Sequence, residues 1–429
     1  MRFQTLEQWL EWQSSLNPRE IQLGLDRVAR VWEQMHSQPF ACPVISVAGT
    51  NGKGSCVAFL EAILGAAGYR TGCYTSPHLV QYNERIRIDG AALPDQRICQ
   101  AFERVDRARQ GIKLTYFEFG TLAALDIFLD QSPDVVILEV GLGGRLDAVN
   151  IIDCDIALIT NVDIDHTDWL GETREQIGRE KAGIMRPERP AVFGTTDPPE
   201  SLISQADEKG TPLFVAGRDF SYRLSDGGWD WQSGQLHRYA LPIPHLRGSF
   251  QLQNASAVLM VLALLQDRLP VDKKALRTGL LEAVVDGRFQ VIPGPPSIIL
   301  DVAHNPQAAR ALVANLKAMY CSGRTLAIFA MLADKEITEV VRITSPLIDH
   351  WCLAELKEGR GLAADVLASR LREAGISCQS ISYHENPLDA LQAAGAAATE
   401  ADRLLVFGSF HTVGEVLRQG RSRESLLLY

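Results

Sequence analysis

Residues 49–55 read Gly49-Thr50-Asn51-Gly52-Lys53-Gly54-Ser55. They follow an apolar run, 43–48, that is typical of a buried strand, and they precede residues 56–67, in which apolar side chains recur at helical spacing. A glycine-rich turn between a strand and a helix directs backbone N–H groups at one point, where a phosphate can bind beside a lysine ammonium. The stretch therefore predicts a phosphate-binding loop in an α/β domain.

This loop departs from the common P-loop pattern in two places. Gly54 separates Lys53 from Ser55, and Val47 occupies the position of the first glycine. An ordinary glycine-rich turn between strand and helix therefore stays open as an alternative at this point.

The bulk properties narrow the class of protein. A chain of 429 residues is long for one core, so we expect two or three domains. Its hydrophobic content of 46%, with no apolar run of about 20 residues, predicts a soluble protein without a membrane partner. The net charge of −10 disfavours non-specific nucleic-acid binding. Eight singly placed cysteines and an N-terminus unlike a signal peptide favour a reducing, cytoplasmic location.

Strand-like runs alternate with helical segments, which favours a mostly parallel sheet. In the first part of the chain we expect strands at 44–48, 72–74, 134–140, 155–160, 191–194 and 212–216. Between 220 and 241, aromatic residues alternate with polar ones across glycine turns, which indicates a small antiparallel insertion. A helix is expected at 254–266.

Turn-forming residues cluster at 286–296, and we place a domain boundary there. Beyond it, the alternation resumes with expected strands at 298–301, 325–329, 351–354, 377–383 and 404–408. The predicted fold class is α/β: a P-loop-type α/β domain with a small β insertion at 1–287, and a Rossmann-like α/β domain at 288–429.

Polar residues follow several of these strands. Glu139 ends an apolar strand, where a nucleotide-bound Mg²⁺ needs a carboxylate. Ser76 and His166 lie in turns after two other strands, and a hydroxyl or a neutral imidazole can ligate a metal. Each turn is also compatible with a solvated loop, and Lys181 by itself is typical of a surface lysine.

In the second domain, a turn from Asp301 to Pro306 follows the first strand. Its Asp-x-x-His-Asn pattern could face a nucleotide across a cleft between the domains. The turn also predicts a helix that begins with Asn305 as N-cap and Pro306 as first helical residue.

Taken together, these motifs resemble the folylpolyglutamate synthases, and more closely the bacterial bifunctional dihydrofolate synthase/folylpolyglutamate synthases, of the Mur-ligase superfamily. The resemblance extends over nearly the whole chain. The motifs that carry it are residues 49–55, Thr75-Ser76-Pro77-His78, residues 139–147, Asp165-His166, Glu180-Lys181-Ala182-Gly183 and residues 301–306.

The resemblance implies a Mur-ligase-like ATP site with two Mg²⁺ ions. Ser76 and Glu139 would bind one Mg²⁺, and Glu139 and His166 the second. Lys53, His166 and a carbamylated Lys181 would be the catalytic residues. The residues that would bind ATP are Gly49, Thr50, Asn51, Gly52, Lys53, Gly54, Ser55, Asn254 (against the adenine), Arg288, Asp301 and His304. Phe250 stands where the family usually has a histidine.

The resemblance also implies a dihydropteroate pocket. Its residues would be Gln22, Leu23, Gly24, Leu25, Thr115, Tyr116, Phe117, Glu118, Leu146, Asp147 and Ala148. Tyr116 and Phe117 could stack on a flat pterin, although residues 115–119 also fit a helix start that packs its aromatic side chains inward. A segment at 406–412 matches the family without an assigned role.

The implied function is ATP-dependent addition of L-glutamate to dihydropteroate and to reduced folates through an acyl phosphate, by a monomeric cytoplasmic enzyme of folate biosynthesis. Alternatives are a folylpolyglutamate synthase only, a kinase or other phosphoryl transferase, and a nucleotide-driven switch. We expect no cell-wall precursor ligase, because the loop begins at Gly49 and leaves no room for the additional domain of those enzymes. A dehydrogenase is disfavoured because residues 141–144 lack the dinucleotide fingerprint.

Overall fold

The computed structural model describes residues 2–17, 21–36, 38–356 and 361–427. The chain divides into two compact units. Unit 1 contains residues 1–77, 83–245 and 251–284, and unit 2 contains residues 78–82, 246–250 and 285–429. In the described ranges, no helix is both long and apolar enough to cross a membrane.

Unit 1 is built on a large sheet. Its strands are β1 (Val44–Ala48), β2 (Thr71–Tyr74), β3 (Ile86–Ile88), β4 (Ala91–Ala92), β5 (Val135–Glu139), β6 (Ile156–Ile159), β7 (Ala191–Phe193) and β8 (Leu213–Val215). They form an eight-stranded sheet in the order β4-β3-β2-β5-β1-β6-β7-β8. Strands β2, β5, β1, β6, β7 and β8 run parallel to one another, whereas β3 pairs antiparallel with β2 and β4 pairs antiparallel with β3.

Helices surround this sheet. They are α1 (Leu6–Leu16), α2 (Asp26–Met35), α3 (Lys53–Ala66), α4 (Asp95–Ala108), α5 (Tyr116–Gln131), α6 (Thr167–Leu170), α7 (Arg174–Lys181), α8 (Glu200–Lys209), α9 (Ser249–Leu264) and α10 (Lys273–Glu282). Every residue of β1 and β5 is buried. Such continuous apolar strands are expected where helices cover both faces of a parallel sheet, and they explain why the sequence pattern located these strands well.

A separate three-stranded sheet lies between β8 and α9 in the chain. It consists of β9 (Ser221–Ser225), β10 (Gly228–Ser233) and β11 (Leu236–Leu241), in the antiparallel order β11-β10-β9. Trp229 and Trp231 of the central strand are buried. The predicted antiparallel insertion is thus confirmed.

Unit 2 is a second α/β sandwich. Its elements are β12 (Gln290–Ile292), β13 (Ser297–Asp301), α11 (Pro306–Ala318), β14 (Thr325–Phe329), α12 (Ile337–Thr344), β15 (His350–Ala354), α13 (Ala364–Glu373), β16 (Ile381–His384), α14 (Pro387–Ala397), β17 (Arg403–Phe407), α15 (Phe410–Leu417) and α16 (Arg423–Leu427). The sheet order is β12-β13-β17-β14-β15-β16, with β12 alone antiparallel. Leu79, from the short segment 78–82, packs against the core of this unit, and a Cβ at Gly414 would overlap its carbonyl oxygen.

Three element boundaries differ from the prediction by about three residues or more, and the others by one or two. The helix expected at 254–266 begins at Ser249, directly after Gly248, whose φ of 116° breaks the preceding chain direction. The helix after the glycine-rich loop begins at Lys53, so the loop is shorter than expected. The strand expected at 377–383 begins only at Ile381, because the Ser377 hydroxyl accepts a hydrogen bond from Gln379 N and the chain forms a short helical turn there.

Two helical glycines of unit 1 provide a matched test of this packing. A Cβ at Gly279 of α10 would overlap the backbone of Ile63 in α3, whereas a Cβ at Gly65 of α3 would meet no atom within 4 Å. We expect Gly279→Ala to lower the free energy of unfolding by about 1–3 kcal/mol through overpacking. Gly65→Ala should raise it by about 0.5–1 kcal/mol through helix propensity. Urea unfolding followed by circular dichroism measures both, and equal effects would contradict the close α3–α10 contact.

Candidate active site

Four strands of unit 1 bring their carboxyl ends to one edge of the sheet. Val47 of β1 lies opposite Glu139 of β5, and Ala48 of β1 lies opposite Ile159 of β6. Tyr74, the last residue of β2, lies opposite Leu138. The loops that follow these strands therefore meet at the edge where open α/β sheets bind ligands.

The glycine-rich loop depends on two glycines. Gly52 has a left-handed φ of 85° and is the N-cap of α3, which makes Lys53 the first helical residue. A Cβ at Gly49 would overlap the hydroxyl of Thr160. The Lys53 ammonium donates to the carbonyls of Gly49 (2.9 Å) and Thr50 (3.2 Å), so it stays beside the loop.

The segment after β6 clamps this loop from the side. Asn161 accepts from Asn51 N–H through Oδ1 (3.1 Å) and donates to the Asn51 carbonyl through Nδ2 (2.9 Å). The Thr160 hydroxyl donates to the same carbonyl (2.5 Å). Sequence reasoning missed Asn161 as a site residue, and its only signal was its position directly after a strand.

The helix α9 contacts the loop from another direction. Gln251 donates through Nε2 to the Ser55 hydroxyl (3.2 Å), and Asn254 donates to Gln251 Oε1 (3.0 Å). A Cβ at Gly52 would lie 2.7 Å from Asn254 Oδ1. Asn254 thus lies against the loop itself, and its contact with an adenine stays a prediction.

The residues expected to bind metal supply hard oxygen ligands and one imidazole. Ser76 N–H donates to Glu139 Oε2 (3.1 Å), and Glu139 is 5% exposed. A Cβ at Gly54 would lie 3.9 Å from Glu139 Oε1, so this carboxylate lies beside the phosphate loop. His166 has a left-handed φ of 53° at the start of α6, and its N–H donates to Asp165 Oδ1 (2.8 Å).

This set fits Mg²⁺ bound together with a nucleotide. Within the described ranges, no three His, Cys, Asp or Glu side chains are grouped as a complete metal site. Mg²⁺ is usually held by one or two carboxylates together with substrate phosphates and water, so a full protein cage is not required. Glu139 beside the loop meets that requirement.

Lys181, the last residue of α7, is buried to 3% exposure. Burial, and then the charge of Lys53, lower its pKa to about 7, although Asp165 and Asp147 act in the opposite sense. In the part of the chain that the structure describes, Lys181 Nζ makes no hydrogen bond or ion pair. It is therefore not the surface lysine that its local sequence indicated, and with a pKa of about 7 a substantial fraction of its amine is neutral near pH 7.

Asp147 is a second buried titratable group at this edge. Its carboxylate accepts from Leu142 N–H (2.8 Å) and Val149 N–H (3.0 Å). Burial raises the pKa of Asp147 to about 6, against the opposing effect of these hydrogen bonds and of Lys53.

The three segments expected to line a pterin pocket come together. Gly24 N–H donates to the Leu146 carbonyl (3.3 Å). Arg27 joins the other pair, because its Nη2 donates to Glu118 Oε1 (2.6 Å) and to the Gln22 carbonyl (2.8 Å). Arg27 lies two residues after the expected pocket residues 22–25, in a segment, 22–27, that resembles the pocket as a whole.

The two aromatic residues of this region differ in their neighbours. Phe117 lies against Gly141, where a Cβ would approach its ring to 2.6 Å, and its ring centroid is 6.0 Å from that of Tyr74. Tyr116 lies under the guanidinium of Arg85, at 5.6 Å. Thr115 and Glu118 form a capping box that starts α5. The expected helix start is therefore present, and the same residues also lie next to the other predicted pterin segments.

In unit 2, the remaining predicted residues gather around Phe410. The Arg288 guanidinium lies 5.0 Å from the Phe410 ring centroid, and the His304 ring lies 5.9 Å from it. Asp301 accepts from Phe289 N–H and Ala303 N–H, both at 2.8 Å, and burial raises its pKa while Arg288 lowers it. The segment 406–412, which had no assigned role, thus supplies the aromatic support for two predicted site residues.

The helix after this turn starts as expected. Asn305 caps α11 by accepting from Ala308 N–H (2.9 Å), and Pro306 is its first residue. His304 Nδ1 lies 2.8 Å from the Val302 carbonyl; because a carbonyl oxygen only accepts, Nδ1 carries a proton and donates to it.

Two family models match the chain. The Mur ligase middle domain matches residues 47–262, and the Mur ligase glutamate ligase domain matches residues 287–410. The first covers the glycine-rich loop, the carboxyl-end edge and α9, and the second covers the Asp301 turn and Phe410.

Full-length relatives are similar to this chain. A dihydrofolate synthase/folylpolyglutamate synthase of Escherichia coli is 42% identical over 98% of this chain and 96% of the relative. The solved structure of E. coli FolC in complex with DHPP and ADP has a TM-score of 0.91, with 42% identity and 97% of both chains covered. A bifunctional folylpolyglutamate synthase/dihydrofolate synthase with Mn, AMPPNP and L-glutamate bound has a TM-score of 0.89, with 43% identity over 97% of this chain and 98% of that one.

The loop clamp predicts the effect of an isosteric change. Asn161→Asp replaces the donor amide with an oxygen that faces the Asn51 carbonyl, so both hydrogen bonds cannot be kept. We expect the Kd for ADP, measured by titration calorimetry, to rise about tenfold or more, because an unsatisfied pair costs about 1–3 kcal/mol. Asn386→Asp, at the exposed cap of α14, is the control with the same charge change. Unchanged ADP binding by Asn161→Asp would show that the clamp does not shape the loop.

Proposed function

The chain belongs to the dihydrofolate synthase/folylpolyglutamate synthases of the Mur ligase family, and we propose that it adds L-glutamate to dihydropteroate and to the γ-carboxyl of reduced folates. The resemblance drawn from its motifs is confirmed. It is an ATP-dependent amide ligase.

One observation carries this proposal. The phosphate loop, the Ser76–Glu139 pair and Asp147 lie at or directly after the ends of neighbouring strands of one sheet edge. The predicted pterin segments contact the segment that follows β5 through the Gly24–Leu146 hydrogen bond and the packing of Phe117 against Gly141. An ATP γ-phosphate and a carboxylate acceptor can therefore be held next to each other. Holding two reactants in place is the main requirement of phosphoryl transfer.

In the first step, the substrate carboxylate attacks the γ-phosphorus of ATP, and ADP leaves as an acyl phosphate forms. The backbone N–H groups of the loop and the Lys53 ammonium bind the phosphate oxygens and stabilise the charge that develops on them. Ser76, Glu139 and His166 would hold Mg²⁺, which supplies further neutralisation of that charge.

In the second step, the amine of L-glutamate attacks the acyl carbon. A tetrahedral intermediate forms, phosphate leaves with the electrons of the acyl C–O bond, and the nitrogen loses its proton as the amide is completed. Arg288, Asp301 and His304 of unit 2 are proposed to bind nucleotide. We assign ATP and pterin binding to residues 1–287 and the glutamate side to residues 288–429.

Lys181 is proposed to be carbamylated. Its buried amine has a pKa of about 7, so a substantial fraction is neutral at physiological pH and can attack CO₂. A C–N bond forms and a proton is released, so a cation becomes an oxygen anion. Such an anion suits a site with two divalent ions, and it resolves the cost of burying an unpaired lysine next to Lys53.

We propose a cytoplasmic, monomeric enzyme. All eight cysteines are free thiols, as expected in a reducing compartment.

The ligase proposal makes a direct kinetic prediction. Phosphate release from ATP should require both L-glutamate and an acceptor, and it should proceed with dihydropteroate and with tetrahydrofolate. A coupled phosphate assay measures this, with L-aspartate in place of L-glutamate as the control.

Each alternative predicts a different result in that assay. A kinase or ATPase would turn over ATP at the same rate without glutamate. Turnover with tetrahydrofolate but not with dihydropteroate would leave a folylpolyglutamate synthase only.

The carbamate predicts a pH-dependent recovery. Lys181→Ala should lose most activity, and acetate should restore part of it by supplying a carboxylate in the vacated space. CO₂-depleted native enzyme should regain activity on addition of bicarbonate, faster as the pH rises through about 7, because the lowered pKa leaves the amine neutral above that value. Full activity of Lys181→Ala would discard the carbamate.

A further inference from the structure

Arg87 of β3, the strand next to the edge strand β4, makes an unusually complete set of side-chain contacts. Its Nε donates to both carboxylate oxygens of Glu61 (3.1 and 3.0 Å), and its Nη2 donates to Glu61 Oε2 (2.8 Å). Its Nη1 donates to the Thr75 hydroxyl (2.9 Å) and to the Glu84 carbonyl (2.8 Å). All three nitrogens of the guanidinium are therefore engaged.

These contacts join two elements of the active site. Glu61 lies on α3, the helix that begins with Lys53 of the phosphate loop. Thr75 immediately precedes Ser76, whose N–H donates to Glu139. The Thr75 hydroxyl also donates to the Glu84 carbonyl (3.3 Å), and Thr75 N–H donates to the Arg85 carbonyl (2.9 Å). Hydrogen bonds that link Thr75 with Arg87, Glu84 and Arg85 therefore hold the turn that carries Ser76.

The geometry requires an arginine. A lysine ammonium has one nitrogen on a flexible stem, so it cannot bind Glu61 through two donors and still reach Thr75 and Glu84. The Arg87 and Glu61 side chains are 20% and 13% exposed. The desolvation of a buried ion pair offsets most of its attraction, so this pair is not explained by a gain in stability alone. Burial lowers the pKa of Arg87, but the neighbouring Glu61 carboxylate outweighs this effect and the pKa is raised overall.

We propose that Arg87, braced by Glu61, is a positioning residue that fixes Ser76 relative to Glu139 and thereby sets the affinity for the divalent metal. The inference rests on the proposed function, in which Ser76 and Glu139 bind Mg²⁺ with ATP. Groups that orient metal ligands from behind typically change metal affinity by about 10–100-fold when they are altered.

The test is binding of Mn²⁺ in the presence of AMPPNP, measured without turnover by electron paramagnetic resonance of the free ion. We expect Arg87→Lys to raise the Kd for Mn²⁺ about 10–100-fold. Thr75→Val, which removes only the hydroxyl that Arg87 contacts, should raise it about two- to tenfold. The KM for dihydropteroate should stay within about twofold of the native value in both variants, because Arg87 makes no described contact with the pterin segments.

Arg268→Lys is the matched control. Arg268 pairs with Asp155 at 2.6 Å, and Asp155 precedes β6, at the opposite end of the strands from the candidate site. This variant should bind Mn²⁺ like the native protein.

The outcomes separate the inference from the proposed function. If the native protein does not bind Mn²⁺ with AMPPNP, the proposed function fails. If the native protein binds and both Arg87→Lys and Thr75→Val bind equally well, Arg87 has no positioning role. If Arg87→Lys does not fold, as shown by circular dichroism, Thr75→Val alone decides.

Discussion

The close approach of two backbone segments at Gly49 is the constraint on which the rest of the site depends. Thr160 occupies the space that any side chain at position 49 would need, and the Asn161 amide holds the next turn of the loop through Asn51. The curvature of the loop follows from this contact, and the curvature places Lys53 against the loop carbonyls. On the other side of β1, the pairing with β5 places Glu139 opposite Val47, two residues before Gly49. The two neighbours of β1 therefore bring the phosphate loop and a proposed metal ligand to the same sheet edge.

Burial shifts the pKa values of two titratable groups at this edge. Lys181 and Asp147 are both buried, and their pKa values move toward each other, to about 7 and about 6. Burial is the largest cause of both shifts, since it disfavours the charged form of each group. A site arranged in this way is poised for the arrival of a triphosphate and divalent ions, which change the local field more than any residue does.

The sequence predicted the parts of the molecule whose residues carry their own local signal. Strands buried on both faces, such as β1 and β5, are continuous apolar runs in the sequence. The glycines of the loop indicate a tight turn by their residue type. The prediction was weaker for β3 and β4, which are short and lie at the sheet edge, and for the segment 377–380, where a serine hydroxyl competes with the strand. Asn161 and Arg87 could not be found in this way, because their partners, Asn51 and Glu61, are distant in the chain. An arginine can be solvent-exposed or can position other side chains, and the tertiary contacts that decide between the two cannot be read from the local sequence.

Unit 2 is assembled from chain segments that are far apart in the sequence, and this affects how the chain can fold during synthesis. Leu79 leaves the ribosome early, but the surface that receives it includes Gly414, which is made after most of the chain. At about 5–20 residues per second, the segment 78–82 waits for tens of seconds before its native neighbours exist. Apolar surface exposed during that time is prone to aggregation, and unit 2 cannot complete its core until the C-terminal part of the chain has been made.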